Sequence, residues 1–298
     1  MARAAFIMDQ LLRKIGLSGR AFVPMLMGFG CTVPAVLGTR TLENEKDKRL
    51  TILITPFMSC SAKMPVYSLF ISAFFVGNRP LIIFAIYGLG IVVAILTALL
   101  FKNTILKGKP APFVMELPPY RLPTLKSLWL HVWERLKDFL IKAGTVLLGA
   151  TVVIWFLQSF NPQLQMVEDS SQSILAHIGA FIAPAFSLCG FGDWKASVSL
   201  LTGLVAKESV VSTMGILYNV GGQASLAAVL TQVFTPLSAF AFMVFVLLYT
   251  PCIAALSAIH REMGSLKWTA VTIGYQLAVA WFASALVFQV GTLIGHLF

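Results

Sequence analysis

Apolar and polar positions alternate along this chain in blocks of membrane length. At its start Ile7, Leu11 and Ile15 recur at i and i+4, with Met8 and Leu12 beside them and Arg3, Asp9, Arg13 and Lys14 opposite. That spacing predicts an amphipathic helix over 3–15, lying along a membrane interface. Segment A, 21–38, is apolar but interrupted by Pro24, Gly28, Gly30 and Pro34. So many breakers point to a broken or re-entrant helix, whose freed backbone groups line a polar cavity. Residues 39–50, TRTLENEKDKRL, are expected to form a charged loop. Segment B, 51–76, carries Pro56, Pro65 and a polar centre of Ser59, Cys60, Ser61 and Lys63, whereas segment C, 80–101, is an uncharged span.

A Pro- and Lys-bearing loop follows over 102–127. Trp129, Val132, Trp133, Leu136 and Leu140 then mark one stripe against Glu134, Arg135, Lys137 and Asp138. This predicts a second interfacial helix running into a linking span D, 140–160. Residues 161–173 are polar and acidic, and 174–192 are too interrupted by Gly179, Pro184, Gly190 and Gly192 to read as a span. Segment E, 196–217, holds GLVAKES at its centre, and 218–235 contain no charged residue. Segment F, 236–259, ends in YTPCIAALSAI, and segment G, 268–297, contains Gly291-x-x-x-Gly295, a weak helix-packing signal.

Composition fixes the class. Charged residues make up 11% of the 298 and apolar ones 58%, and the mean hydropathy is +0.85. A soluble domain carries about 25% charge. An ordinary soluble enzyme, a disordered chain and a disulfide scaffold are therefore excluded. The net charge of +10 fits short basic loops of a membrane protein better than nucleic-acid binding. Cys31, Cys60, Cys189 and Cys252 lie far apart, with no C-x-x-C, and Asp9, Gln10, Arg13 and Lys14 occupy the place of a signal peptide's apolar core.

Loop charge supplies an orientation. Four basic residues precede segment A, four lie between A and B, and seven between C and D through Lys137. Only Arg79 lies between B and C, only Lys195 between D and E, and none between E and F. Treating A and E as re-entrant places every basic-rich connection on the cytoplasmic side. Two units of opposite orientation result, A–B–C and E–F–G, joined by D. Each contains a Thr-Pro step near a cysteine, Thr55-Pro56 before Cys60 and Thr250-Pro251 before Cys252. The expected fold is an all-α polytopic membrane protein with two inverted repeats containing broken helices. Its parts would be a first module over 1–101, a cytoplasmic loop, interfacial helix and linking span over 102–160, and a second module over 161–298.

Chemistry concentrates at the interruptions. Lys207 and Glu208 fall mid-membrane, where ions are costly and functional by default; Lys63 is comparable, or binds a helix C-terminus. Cys31, Cys60 and Cys252 each sit beside a Pro or Gly break. With Glu208 these thiols can hold a borderline divalent cation such as Fe²⁺, unless they are inert buried cysteines. Lys207 would tune the charge of Glu208, and Ser59 and Ser61 would support the site. Met58 and Met64 read as packing residues and Cys189 as structural. His131, His177, His260 and His296 share no ligand spacing, and no G-x-x-x-x-G-K-[ST] occurs.

The strings GFGCTVPAVLGTRTLE, TPFMSCSAKMPVY, GLVAKESVVSTMGILY and TPCIAAL resemble the membrane region of the ferrous iron transport protein B family. The resemblance covers nearly the whole chain. It implies Fe²⁺ uptake across a bacterial cytoplasmic membrane through two gate, or nucleoside-recognition, modules. By position in those motifs, Cys31, Cys60, Glu208 and Cys252 match the family's gate residues. It also implies an N-terminal GTPase domain, a helical spacer and further helices, which this sequence does not contain; a fragment, or a split gene with the GTPase on another chain, is then expected. The implied partners are the lipid bilayer, Fe²⁺, a GTPase domain or subunit and a second copy in a homo-oligomer, without nucleic acid and with no nucleotide on this chain. The alternative expectation is a nucleoside or small-solute carrier built on the same modules. A thiol enzyme is disfavoured because no histidine falls within a cysteine-bearing segment.

The topology is testable directly. Single cysteines introduced at Ser225 and Lys109 are expected to react from opposite sides of the membrane, Lys109 from the cytoplasm; labelling of both from the cytoplasm would sink the re-entrant arrangement.

Overall fold

The computed structural model describes residues 2–75, 77–105, 124–163, 165–166, 170–220 and 222–297. Most of the 102–127 loop, including Lys109, lies outside the described residues, as do Glu168 and Asp169. The same holds for the side chains of Arg3, Glu134, Arg135 and Asp138. Among the described residues there is no strand, only an isolated bridge between Phe160 and Met166.

The first half comprises α1 (Ala2–Lys14), α2 (Phe22–Gly28), α3 (Thr32–Gly38), α4 (Glu45–Ile54), α5 (Met64–Phe74) and α6 (Arg79–Thr104). The linking helix α7 (Leu125–Ser159) runs unbroken through the interfacial stripe into segment D. The second half comprises α8 (Ile174–Phe186), α9 (Trp194–Thr202), α10 (Ser209–Leu217), α11 (Gln223–Val233), α12 (Pro236–Leu248), α13 (Ile253–Met263) and α14 (Leu266–Leu297). Among the described residues, three stretches, 79–104, 236–263 and 266–294, are long and apolar enough to cross a bilayer, and the bent pair 174–189 and 194–202 could make a fourth. The chain is a polytopic helical membrane protein.

One expectation changes, and two stretches the pattern left open take shape. The charged stretch 39–50 is not all loop: Asn44 caps α4 by accepting the Lys46 N–H at 2.9 Å. Glu45 and Asp47 in the first turn oppose the helix dipole's positive end, while Leu50 and Ile52–Ile54 are buried. Local charge therefore marked a helix start rather than a loop. The interrupted stretch 174–192, which does not read as a span, is helical in part. It forms α8 and a tight turn, and folds back on α9 through a 104° bend, so the sharply bent pair is α8–α9 and segment E breaks separately between α9 and α10. Residues 223–233 form a further helix, α11.

Helix α12 is the axis. The most apolar part of 236–263, the stretch that α12 opens, is 72% buried, against 28% for the 79–104 span and 11% for 266–294. Thr235 and Ser238 close its N-terminus as a reciprocal capping box, with Pro236 at the first helical position. Phe242 and Phe245 knit α12 to Phe70, Phe191 and Phe186 through ring contacts. Helix α14 lies against it: Ser284 donates to Ala241 O at 2.9 Å, and Gly291 meets Leu237 so closely that a β-carbon there would collide. The Gly291 signal in the sequence thus marks a true packing face. Helix α6 approaches similarly, since a β-carbon at Gly90 would stand 2.7 Å from the Phe57 carbonyl oxygen.

Contacts sort the connections onto two ends. At one end Lys102 donates to Lys14 O, Arg49 stacks on Trp268, and Arg40 and Lys48 hold Glu262 at 2.6 and 3.3 Å. At the other, Phe75 meets Phe240, Tyr218 donates to Asp193 at 2.9 Å, and Gln289 donates to Leu188 O. Helix α6 therefore runs toward the Lys102 end, and α14 runs from it. Helices α5 and α13 are opposed in the same way. The two halves are inverted, and the grouping of loops is the one that loop charge predicts.

The Glu262 carboxylate is only 4% exposed and joins the halves through Arg40, itself 49% exposed. Glu262→Gln is expected to cost about 1 kcal/mol of stability, the scale of a partly screened ion pair. A double-mutant cycle with Arg40→Gln, read by thermal melting in detergent, should return a coupling of the same sign; a null coupling would show the clasp idle.

Candidate functional site

Each half is interrupted twice. Phe29–Cys31 separate α2 from α3, and residues 55–63 separate α4 from α5 through two tight turns. Residues 203–208 separate α9 from α10, and Tyr249–Cys252 separate α12 from α13. All four interruptions open on one cavity of about 380 Å³, to which α7 contributes Gly144.

Each of the four candidate ligands immediately precedes a helix or turn, three of them in extended conformation and Glu208 in helical conformation. Cys31, Glu208 and Cys252 are the residues immediately before α3, α10 and α13, and Cys60 immediately precedes the turn Ser61–Lys63 that leads into α5. A helix N-terminus presents unpaired N–H groups and a partial positive charge, which favours a thiolate or carboxylate. Glu208 is exposed and the three cysteines half-buried, all lining the cavity. Among the described residues, no group of three or more His, Cys, Asp or Glu side chains is close enough to hold a metal ion together. The donors are distributed along the cavity rather than gathered into a closed shell.

Backbone bonds pair the interruptions. In the first half Ser61 directs both its N–H and its hydroxyl at Gly30 O, at 3.2 and 2.9 Å. In the second, Ile253 N–H donates to Leu204 O at 2.8 Å. Ser61 follows Cys60 as Ile253 follows Cys252, so the same tie recurs across the inverted halves. Each satisfies a carbonyl that the break released.

The two lysines cap the end of α12. Lys63 Nζ is 2.6 Å from Leu247 O and 3.3 Å from Pro56 O. Lys207 Nζ is 2.6 Å from Thr250 O and 3.1 Å from the centre of the Tyr249 ring. Both are buried, at 3% and 2% exposure. Lys207 is thus directed at Thr250, and among the described residues no ion pair joins it to Glu208. The helix C-terminus carries partial negative charge, which is the reason ammonium groups settle there.

The remaining candidates divide. Ser61 lines the cavity, whereas Ser59 is buried against the Tyr67 hydroxyl at 3.3 Å. Cys189 is wholly buried, facing Trp281 O at 3.7 Å, away from the cavity. Met58 is buried in packing and Met64 receives the Tyr87 hydroxyl. Tyr249, Gly144 and the Gly30 and Leu204 carbonyls were not legible as site elements. Backbone atoms leave no side-chain signature, and Tyr249 reads as one more aromatic in an apolar run.

Comparison with known proteins gives this geometry its context. The family model described as "Nucleoside recognition" matches residues 1–74 and 140–266, and "Ferrous iron transport protein B C terminus" matches 83–135. The chain is 46% identical over its whole length to the Fe(2+) transporter FeoB of Staphylococcus aureus strain COL, covering 44% of that protein. It is 42% identical over 99% of its length to the FeoB of Methanocaldococcus jannaschii, covering 45%. A Fe(2+) transport protein A/FeoB fusion protein of Porphyromonas gingivalis is 42% identical over 98% of the chain, which spans 40% of it. The chain thus spans less than half the length of these relatives. No solved structure matches it. The match of 83–135 to the ferrous iron transport protein B C terminus makes the chain similar to that membrane region, and since the nucleoside-recognition match alone spans more than half of the sequence, the chain belongs to the gate, or nucleoside-recognition, family.

Proposed function

We propose that this chain is the permease portion of a ferrous iron transporter of the bacterial cytoplasmic membrane, with gate modules over 1–101 and 161–298. The observation that carries the reading is the convergence of four helix interruptions on one cavity. That convergence sets Cys31, Cys60, Glu208 and Cys252 at helix starts around a shared space. Thiol sulfur suits a borderline cation, and a carboxylate supplies a harder anionic oxygen. Separated partial sites suit passage, because an ion must leave as readily as it enters. The similarity to longer Fe(2+) transporters supports Fe²⁺ as the cargo and a GTPase domain, on the rest of the protein or on another subunit, as the driver. The basic end with Arg40, Lys48 and Lys102 is then cytoplasmic, and assembly into a homo-oligomer is part of the same proposal. A second reading, passage of a nucleoside or similar solute, draws on the family description and the cavity volume; it requires uptake insensitive to cysteine removal.

The test is ⁵⁵Fe²⁺ uptake in cells lacking their own importer, with membrane protein levels matched. Glu208→Gln is expected to reduce uptake about tenfold or more, a loss of roughly 1.4 kcal/mol from one charged donor. Cys31→Ser and Cys252→Ser should weaken it less, since an oxygen remains, and Cys189→Ser should be nearly silent. Wild-type uptake by the first three variants would refute the assignment. In liposomes, the chain without a GTPase partner is expected not to accumulate Fe²⁺ against a gradient; rapid accumulation without another driving ion would contradict the proposed coupling.

A further inference from the structure

The cavity has an electrostatic problem. Among the described residues that line it, the charged ones are Lys63, Lys207 and Glu208. A space proposed to pass a divalent cation is therefore lined by two lysine side chains and a single carboxylate side chain. Among the described residues neither lysine has a carboxylate partner to cancel it. Lys63 sits on the Leu247 and Pro56 carbonyls, and Lys207 sits on the Thr250 carbonyl and the face of Tyr249. Unwound carbonyls, the C-terminal end of a helix and an aromatic face are each places where a free cation binds. The ammonium groups therefore stand where cations would.

We propose that Lys63 and Lys207 are tethered resident cations, filling carbonyl-lined cation positions at the α12–α13 break, and that an entering divalent ion displaces one of them. The inference rests on reading the cavity as a cation path. When the path is empty, the lysines satisfy carbonyls that lipid cannot. When an ion arrives, its double charge repels the ammonium groups and competes for the same oxygens. The flexible four-carbon stem lets a lysine withdraw without unfolding the break. Empty and loaded states then both have their carbonyls paired, and the ion is held weakly enough to leave. Lys207 is the more exposed to this competition, since Cys252 lies two residues beyond the Thr250 carbonyl it holds.

Mn²⁺ binding to the full purified chain, read by the electron paramagnetic resonance of free Mn²⁺, tests the idea. Lys207→Met and Lys63→Met are each expected to bind Mn²⁺ roughly tenfold more tightly than wild type, because a like charge beside the ion is gone. Lys207→Arg should bind as wild type does. A merely structural cap predicts the reverse, since losing it would loosen the site. Unchanged or weaker affinity in both methionine variants would overturn the proposal. A readout on the unmodified protein guards against misfolding: saturating Mn²⁺ should increase acetylation of Lys207 or Lys63 by an amine-reactive ester, and no increase at either would count against displacement. The triple variant Glu208→Gln/Cys31→Ser/Cys252→Ser separates this from the cation-path reading. If it binds Mn²⁺ as wild type does, the path is misplaced; if it loosens binding while the methionine variants do not tighten it, only the tethered-cation proposal fails.

Discussion

A helix interrupted inside a bilayer releases carbonyl and amide groups that hydrocarbon cannot satisfy, each costing several kcal/mol if left alone. This protein tolerates four such interruptions because they meet. The released groups of one are answered by another: Gly30 O by Ser61, Leu204 O by Ile253, and Leu247 O and Thr250 O by Lys63 and Lys207. Isolated, any of these breaks would be a defect. Together they form a polar interior wrapped by helices whose outer faces remain apolar, as on α6 and α14. The fold and the cavity are two aspects of one solution to backbone pairing.

That mutual satisfaction also decides where reactive side chains go. A break ends one helix and starts the next, and the residue just before the new start looks toward unpaired N–H groups. Three cysteines and a glutamate take that position. The site is therefore set by backbone polarity, with side chains chosen to suit it.

Much of this was legible beforehand. Proline and glycine marked the interruptions, and loop charge gave the inversion that the Lys102, Glu262 and Trp268 contacts bear out. Cys31, Cys60, Glu208 and Cys252 were singled out by lying at those marks, and they do share one cavity. What stayed hidden was set by tertiary pairing. Nothing local says that Lys207 turns to Thr250 rather than toward its neighbour Glu208, or that Lys63 reaches across 184 positions to Leu247. The charged run 39–50 misled because acidic residues that favour a helix start look, one by one, like loop composition. The 174–192 stretch does not read as a span because α8 ends in a tight turn and folds against α9 through a 104° bend.

The ties between paired interruptions have a mechanical meaning. Ser61–Gly30 lies wholly within the first half, and Ile253–Leu204 wholly within the second, so each half is braced as a single body. Beside the ring contacts of Phe70 with Phe242 and Phe75 with Phe240, polar fastenings cross the seam: the Lys63 hold on Leu247, the Tyr275 hydroxyl on Leu53 O, and the Arg40 and Lys48 grip on Glu262. These fastenings lie at different depths, with the ion pairs at one end. Parting the two halves at that end would break the ion pairs first, while the ties inside each half, which line the cavity's walls, would be untouched.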